Sequence, residues 1–160
     1  MKNRIFPVLL LALMLQSALT QSQQLTVHIE DGKPVAFALA EIEALPHIKV
    51  TAGTADGSAT FEGVALRAVL EKAGVGFGET LKGKRMASCL LVKASDGYRV
   101  VIALPEIDPA FSDKQVILAF LKDGKPLDEK EGPYRIVIPD EKRMARWVRQ
   151  VTTLEIVNVQ

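Results

Sequence analysis

The stretch from Asp123 to Trp147 places the tightest constraints on how this chain folds. Asp123-Gly124 is a two-residue hairpin signal, because glycine adopts a positive φ without steric cost and such a turn joins adjacent antiparallel strands. The run Ile136-Val137-Ile138 then predicts a strand covered on both faces, and Pro139 ends its capacity for backbone hydrogen bonds. We therefore expect a hairpin followed by a buried strand in this part of the chain.

A cluster of basic residues begins at this strand and extends over residues 135–149. Asp140 and Glu141 are the only acidic residues within it. Such a concentration of positive charge favours a bound anion. The pattern is equally typical of a solvated basic surface, and Arg135 could simply pair with Glu131 or Asp140. The charge pattern leaves these interpretations open. The members of the cluster are Arg135, Lys142, Arg143, Arg146 and Arg149.

The beginning of the chain predicts export. Lys2 and Arg4 precede an apolar run over residues 5–15 and then small residues, which together are typical of a secretory signal peptide over residues 1–20. The apolar run is shorter than the ~20 residues that span a bilayer. We expect a periplasmic or secreted protein after removal of the leader, with residues 25–160 forming a single domain.

The charge balance and the single cysteine exclude several classes of function. Removal of Lys2 and Arg4 lowers the formal net charge from +1 to about −1, which does not favour nucleic-acid binding. The leader lacks an adjacent arginine pair, so we expect export as an unfolded chain. Cys89 has no partner for an internal disulfide and lies in an apolar run, which predicts a buried, inert thiol.

The periodicity predicts an α+β fold. Leu66, Val69, Leu70 and Ala73 recur at helical spacing before Gly74, which predicts a helix over residues 65–73. A shorter helix is expected over residues 39–45, and a turn or third short helix over 105–111. The small and polar residues 52–59 predict a loop. Strands are expected over residues 25–29, 35–38, 48–51, 85–94, 98–104, 116–121, 136–138 and 147–159.

Three motifs over residues 48–157 together resemble the oxidoreductase molybdopterin-binding domain, the fold of sulfite oxidase and its bacterial relatives. The first is Phe61-Glu62-Gly63-Val64-Ala65-Leu66, and the second is Ser95-Asp96-Gly97-Tyr98. The third joins Asp123-Gly124-Lys125-Pro126-Leu127 to Gly132-Pro133-Tyr134-Arg135 and ends on Arg146-Trp147. The resemblance implies a mixed β-sheet domain, with hairpins and two or three short helices, that carries a pocket for a pterin cofactor.

One departure from the family pattern bears on function. Family enzymes hold molybdenum through a Cys thiolate just before the aromatic-x-Gly-Val stretch, and residues 50–57 contain no Cys. Cys89 does not match that position. The family's Lys before Trp is replaced by Arg146, which keeps a positive charge. The resemblance therefore implies a pocket that retains an anion site and lacks the metal ligand.

We expect an exported, non-catalytic domain that binds a pterin-like or other small anionic ligand, or a partner protein. The expected pocket lies between the Gly132–Arg135 corner, the Asp96–Tyr98 turn and residues 51–57. Either tyrosine could instead pack at a turn with its hydroxyl in water, and Trp147 is expected in the core. The candidate ligand contacts are Arg135, Arg146, Tyr98, Tyr134 and Asp96.

Two alternatives remain at this point. One is a molybdopterin-dependent oxidoreductase with atypical metal ligation, and the other is an accessory or sensor subunit of a membrane or periplasmic partner. His28 and His47 are the only histidines and belong to no metal-binding motif, so we expect no metal site.

Overall fold

The computed structural model describes residues 24–30 and 32–159. The predicted signal peptide, residues 1–20, lies outside the described residues. No helix within the described ranges is long and apolar enough to cross a membrane. The helices are α1 (Leu39–Glu43) and α2 (Leu66–Ala73). The strands are β1 (Gln24–His28), β2 (Val35–Ala38), β3 (His47–Thr54), β4 (Gly57–Ala65), β5 (Ser88–Ala94), β6 (Arg99–Ala103), β7 (Ile117–Lys122), β8 (Lys125–Pro126), β9 (Arg135–Val137) and β10 (Val151–Asn158).

The strands form two sheets that share one core. The first sheet has the order β2-β1-β10-β5-β6, and β10 runs parallel to β1 and antiparallel to β5. The second has the order β3-β4-β7-β8, and β9 also pairs with β7. One cluster of buried apolar side chains draws on both sheets. The predicted α+β fold with a mixed sheet, hairpins and short helices is confirmed.

Several local predictions match the structure. Asp123 and Gly124 both have positive φ, 50° and 76°, and they join β7 to β8 in a two-residue hairpin. Helix α2 buries Leu66, Val69 and Leu70 and ends at Gly74, whose φ is 104°. These elements depend on turn chemistry and on a clear helical period, which are local properties.

The predicted loop over residues 52–59 is wrong. This region forms the end of β3 and the start of β4, paired from His47↔Val64 to Thr54↔Gly57 around the turn Ala55-Asp56. Ala52 and Ala59 are buried, so the strands alternate as sheet strands do, with alanine in place of larger apolar residues. Small side chains concealed the strand period in the sequence.

Two predicted strands begin later than expected. Residues Gly83–Ala87 form a 3₁₀ helix, so β5 starts at Ser88, and another 3₁₀ helix at Met144–Arg146 precedes β10. Cys89 is half-buried, which corrects the predicted full burial. It alternates with the fully buried Leu90 along β5 and therefore occupies the less covered face of the sheet. Burial raises the pKa of the Cys89 thiol, so the thiol is protonated at neutral pH.

The segment over residues 131–136 links the two sheets through its backbone. The amide of Ile136 donates to the carbonyl of Val148 (2.8 Å), and the amide of Val151 donates to the carbonyl of Tyr134 (3.0 Å). Since β9 pairs with β7 in the second sheet and Val151 begins β10 in the first, the chain near Arg135 is fixed from both sides. This double attachment gives the Arg135 backbone a defined position.

An ion-pair clamp fixes the Met144–Arg146 turn. Arg146 donates from Nε to Glu141 Oε1 (2.7 Å) and from Nη1 and Nη2 to the Glu106 carboxylate (3.3 and 3.2 Å). Lys114 also donates to Glu106, at 2.7 Å. Burial alone would raise the pKa of Glu106, but the hydrogen bonds from Arg146 and Lys114 outweigh it and lower the pKa to about 2.

The motif glycine Gly63 allows β4 and β7 to approach closely. A Cβ at this position would lie 2.2 Å from the Leu118 carbonyl oxygen and 2.6 Å from the Ala119 Cα. The pairing of β4 with β7 shifts register between Glu62 and Gly63, as in a β-bulge. The requirement for glycine therefore comes from the backbone of the neighbouring strand.

Gly63→Ala is expected to lower the free energy of unfolding by about 2–4 kcal/mol, because the clash is with backbone that cannot rotate away. Gly53→Ala is the matched control, since a Cβ at Gly53 meets no heavy atom within 4 Å. Urea denaturation of both variants measures the difference. Equal losses of stability in the two variants would contradict the close-approach explanation.

The lowered pKa of Glu106 predicts how stability depends on acid. A carboxyl group whose folded pKa is below its unfolded value stabilises the fold above the unfolded pKa, and this contribution is lost as the pH falls toward the folded pKa. Glu106→Gln should therefore remove on the order of 1–2 kcal/mol at neutral pH and flatten the loss of stability between about pH 4.5 and pH 2. Melting temperatures across this range test the effect. Glu79→Gln, at an exposed position, should leave the acid profile unchanged.

Candidate functional site

A cavity of about 460 Å³ lies where the three predicted segments meet, and we call it the Arg135 cavity. Thr54, Ala55 and Asp56 come from the β3–β4 turn, while Asp96 and Tyr98 come from the β5–β6 turn. Its volume is within the range of small-molecule sites. The remaining wall is formed by Lys122, Glu131, Arg135, Met144, Ala145, Trp147, Val148 and Arg149.

Arg135 is the buried cation of this cavity, with only 6% of its surface exposed. Its guanidinium lies over the rings of Phe61 (5.2 Å to the centroid) and Trp147 (5.5 Å), which contact each other edge to face. Nη1 donates to Glu131 Oε1 at 2.6 Å. Nε is buried and has no hydrogen-bond partner among the described residues. The interpretation in which Arg135 pairs with Glu131 is confirmed, and the same side chain also lines the cavity.

Trp147 itself is buried in the core, as predicted, and it donates from Nε1 to the Ile138 carbonyl at 3.1 Å. Its ring therefore serves both as core and as a wall of the cavity. An indole that is fixed by a hydrogen bond gives Arg135 a rigid surface to pack on.

The basic cluster is divided by the fold. Arg135 and Arg149 line the cavity, whereas Lys142 and Arg143 are exposed outside it. Arg146 is bound by Glu106 and Glu141 and does not line the cavity. The clamp instead holds the turn whose Met144 and Ala145 form part of the wall.

The two tyrosines occupy different environments. Tyr98 is 48% exposed at the cavity, and its hydroxyl donates to the Ala145 carbonyl at 2.7 Å, while its amide donates to Asp96 Oδ1 at 2.8 Å. Tyr134 is fully buried, and its hydroxyl has no partner among the described residues. Burial, together with the charges of Glu43 and Glu41, raises its pKa to about 12. Tyr134 directly precedes Arg135, but it does not line the cavity.

Four charged residues of the cavity were not among the predicted ligand contacts: Asp56, Lys122, Glu131 and Arg149. Lys122 lies on β7, and nothing in its sequence context distinguishes it from an exposed strand residue. Arg149 belongs to the predicted basic cluster, and Asp56 falls in the predicted segment 51–57. The sequence predicted Glu131 only as a possible partner of Arg135.

A second cavity, of about 800 Å³, lies on the other side of the Gly132-Pro133 corner. Phe120, Leu127 and Val151 contribute to its apolar wall, and its charged residues, Glu43, Asp128 and Glu129, are all acidic. It contains none of the predicted ligand contacts. The Arg135 cavity is therefore the candidate site.

The comparisons with known proteins agree with the fold. The family of the oxidoreductase molybdopterin binding domain matches residues 14–160. The crystal structure of the sulfane dehydrogenase SoxCD from Paracoccus pantotrophus is similar with a TM-score of 0.69 and 21% sequence identity. The match covers 87% of this chain and 39% of that chain, so this chain spans well under half of the SoxCD chain it matches. A search of curated proteins finds no match.

The family match covers nearly the whole chain, including the three sequence motifs. Gly63 of the first motif makes the close contact with β7, and residues of the second and third motifs line the Arg135 cavity. The chain belongs to the oxidoreductase molybdopterin binding domain family.

Proposed function

We propose that this chain is an exported, non-catalytic member of its family that binds a pterin-like ligand, or another small ligand with an acidic group, in the Arg135 cavity. The observation that carries the proposal is the buried Arg135 guanidinium, which is held on aromatic rings at the wall of a cavity that has no thiol in its lining. We also propose that the chain is exported and that it acts together with a periplasmic or membrane partner protein.

The lining supports a heterocyclic ligand. Tyr98 offers an exposed ring, and aromatic rings stack favourably on planar heterocycles. Arg149 and Lys122 offer donors, while Asp56, Asp96 and Glu131 offer acceptors, so polar atoms around the edge of a ring can be matched from several directions. A few polar groups around an aromatic surface are typical of small-molecule sites.

The donor set does not fit molybdenum held by a thiolate. The β3–β4 turn, which precedes the Phe61-x-Gly63-Val64 motif, contributes Thr54, Ala55 and Asp56 and no sulfur. Cys89 lies on β5, where it is opposite Ala103 and Val157 in the first sheet, and it lines neither described cavity. Among residues 24–30 and 32–159, no group of three or more His, Cys, Asp or Glu side chains is arranged to hold a metal ion.

Protein purified from the exported compartment is expected to contain no stoichiometric molybdenum, because a soft metal centre needs the thiolate that this cavity lacks. Mass spectrometric elemental analysis measures the metal content per chain. A family enzyme that carries the motif Cys, produced in the same cells, is the control for cofactor supply. About one molybdenum per chain would revive an oxidoreductase with atypical ligation.

Arg149→Ala is expected to weaken binding of neopterin about fivefold to tenfold, since it removes an exposed, charged donor from the cavity wall. Arg143→Ala is the matched control, because Arg143 is also exposed and belongs to the same basic cluster but lies outside the cavity. Calorimetric titration of both variants compares the affinities. Equal effects of the two substitutions would argue that the basic cluster is ordinary surface.

A further inference from the structure

His47, the first residue of β3, lies between the end of α1 and the second sheet, and it does not line the Arg135 cavity. Its Nδ1 is 2.8 Å from Oε1 of Glu62 on β4, and its Nε2 is 2.8 Å from the carbonyl oxygen of Glu43, the last residue of α1. The ring also contacts Phe120 of β7 edge to face, with 5.2 Å between the centroids. Three elements therefore fix the orientation of the imidazole.

Both nitrogens of this ring face hydrogen-bond acceptors. The Glu43 carbonyl only accepts, and Glu62 is an ionised carboxylate, because hydrogen bonds from His47 and Lys49 lower its pKa. A neutral imidazole has one N–H and one bare nitrogen, so it satisfies one acceptor and turns a lone pair toward the other. The arrangement therefore fits the imidazolium, which donates from Nδ1 to Glu62 and from Nε2 to Glu43.

The charges around His47 favour the same protonation state. The hydrogen bond to Glu62 raises the pKa of His47, and the bond to the Glu43 carbonyl and the charges of both carboxylates add to this effect. On β3, Lys49 lies opposite Glu62 and competes for its carboxylate, with 3.2 Å between Nζ and Oε2. Helix α1 has no basic residue in its last turn, so His47 supplies the positive charge at its carbonyl end.

We infer that His47 is a pH-sensitive latch, which ties the end of α1 to β4 as an imidazolium and loses one of its two hydrogen bonds as a neutral ring. The side chain is 41% exposed, so it exchanges its proton with solvent directly. The latch bears on the second cavity, because Leu39 and Glu43 of α1 and Phe120 of β7 line that cavity. It is independent of the proposed ligand of the Arg135 cavity.

The sign of the pH dependence follows from the direction of the shift. A histidine whose folded pKa is raised stabilises the folded contact fully below its unfolded pKa of about 6.5, and this contribution is lost as the pH rises through the folded value. The His47 latch is therefore closed in mild acid and weakened in mild alkali.

NMR titration of the full chain measures the protonation of the His47 ring directly. The midpoint is expected above pH 6.5, the ordinary value for histidine. A midpoint at or below about pH 6.5 would overturn the latch, since the two acceptors would then not hold the second proton.

Amide hydrogen exchange reports whether this proton controls α1. The amides of Ala44 and Leu45 donate to carbonyls of α1, at 3.1 and 3.0 Å. Their protection factors, which correct for base catalysis of exchange, should fall about fivefold as the pH rises through the His47 midpoint, which corresponds to one hydrogen bond. The Val75 amide, which donates to a carbonyl at the end of α2 (2.9 Å), is the control and should keep its protection. Protection of Ala44 and Leu45 that does not change with pH would contradict the latch.

Two substitutions that leave the His47 ring in place should shift its midpoint in opposite directions. Glu62→Gln removes the carboxylate and should lower the midpoint by at least about half a pH unit, whereas Lys49→Gln removes a competing cation and should raise it. Shifts in the same direction, or no shift in Glu62→Gln, would show that the charges of this cluster do not set the protonation of His47.

His47→Gln removes the titrating group and should abolish the pH dependence of protection at Ala44 and Leu45. His28→Gln is the matched control, because it replaces the other histidine, which lies on β1 in the first sheet, and it should retain that dependence. If the pH dependence persists in His47→Gln, another group holds the end of α1 and the assignment is wrong.

Discussion

The buried guanidinium of Arg135 is the interaction on which the candidate site depends. A charge in the interior is tolerated only when it is paired and hydrogen-bonded, and here Glu131 supplies the counter-charge while Phe61 and Trp147 supply polarizable surfaces. Each partner belongs to a different part of the fold: Phe61 to β4, Trp147 to the turn before β10, and Glu131 to the corner before β9. The cation therefore ties these parts together at the point where the cavity opens.

The backbone around Arg135 gives this arrangement its precision. The Ile136 amide donates to the Val148 carbonyl and the Tyr134 carbonyl accepts from the Val151 amide, so the chain between the two sheets is held on both of its sides. The Glu106–Arg146–Glu141 clamp performs a comparable role for the opposite wall, where the Ala145 carbonyl accepts from the Tyr98 hydroxyl. The walls of the cavity are thus fixed by interactions that lie mostly outside it, which is the usual way that a binding surface becomes preorganised.

Arg135 and Arg146 show why a residue type in a motif does not define a role. Both were expected to hold an anion, and both carry the same group, but their partners differ. Arg146 meets two carboxylates and becomes a structural clamp, whereas Arg135 meets one carboxylate and two rings, and its buried Nε has no partner among the described residues. Similarly, Tyr134 and Tyr98 both neighbour motif glycines or prolines, and one is core while the other lies at the cavity mouth.

The elements that depend on local chemistry could be predicted from neighbouring residues. The Asp123-Gly124 turn, the helix that ends at Gly74, the α+β class and the family were predictable, because turn conformation and helical period are written in neighbouring residues. The β3–β4 hairpin was not, since alanine, threonine and glycine hide a strand period that only pairing with the partner strand reveals. The pairing of the charged side chains, in contrast, follows from how the strands and turns pack together. Lys122 lies at the end of β7 and Glu131 at the corner before β9, so their ion pair depends on a distance that no sequence pattern contains.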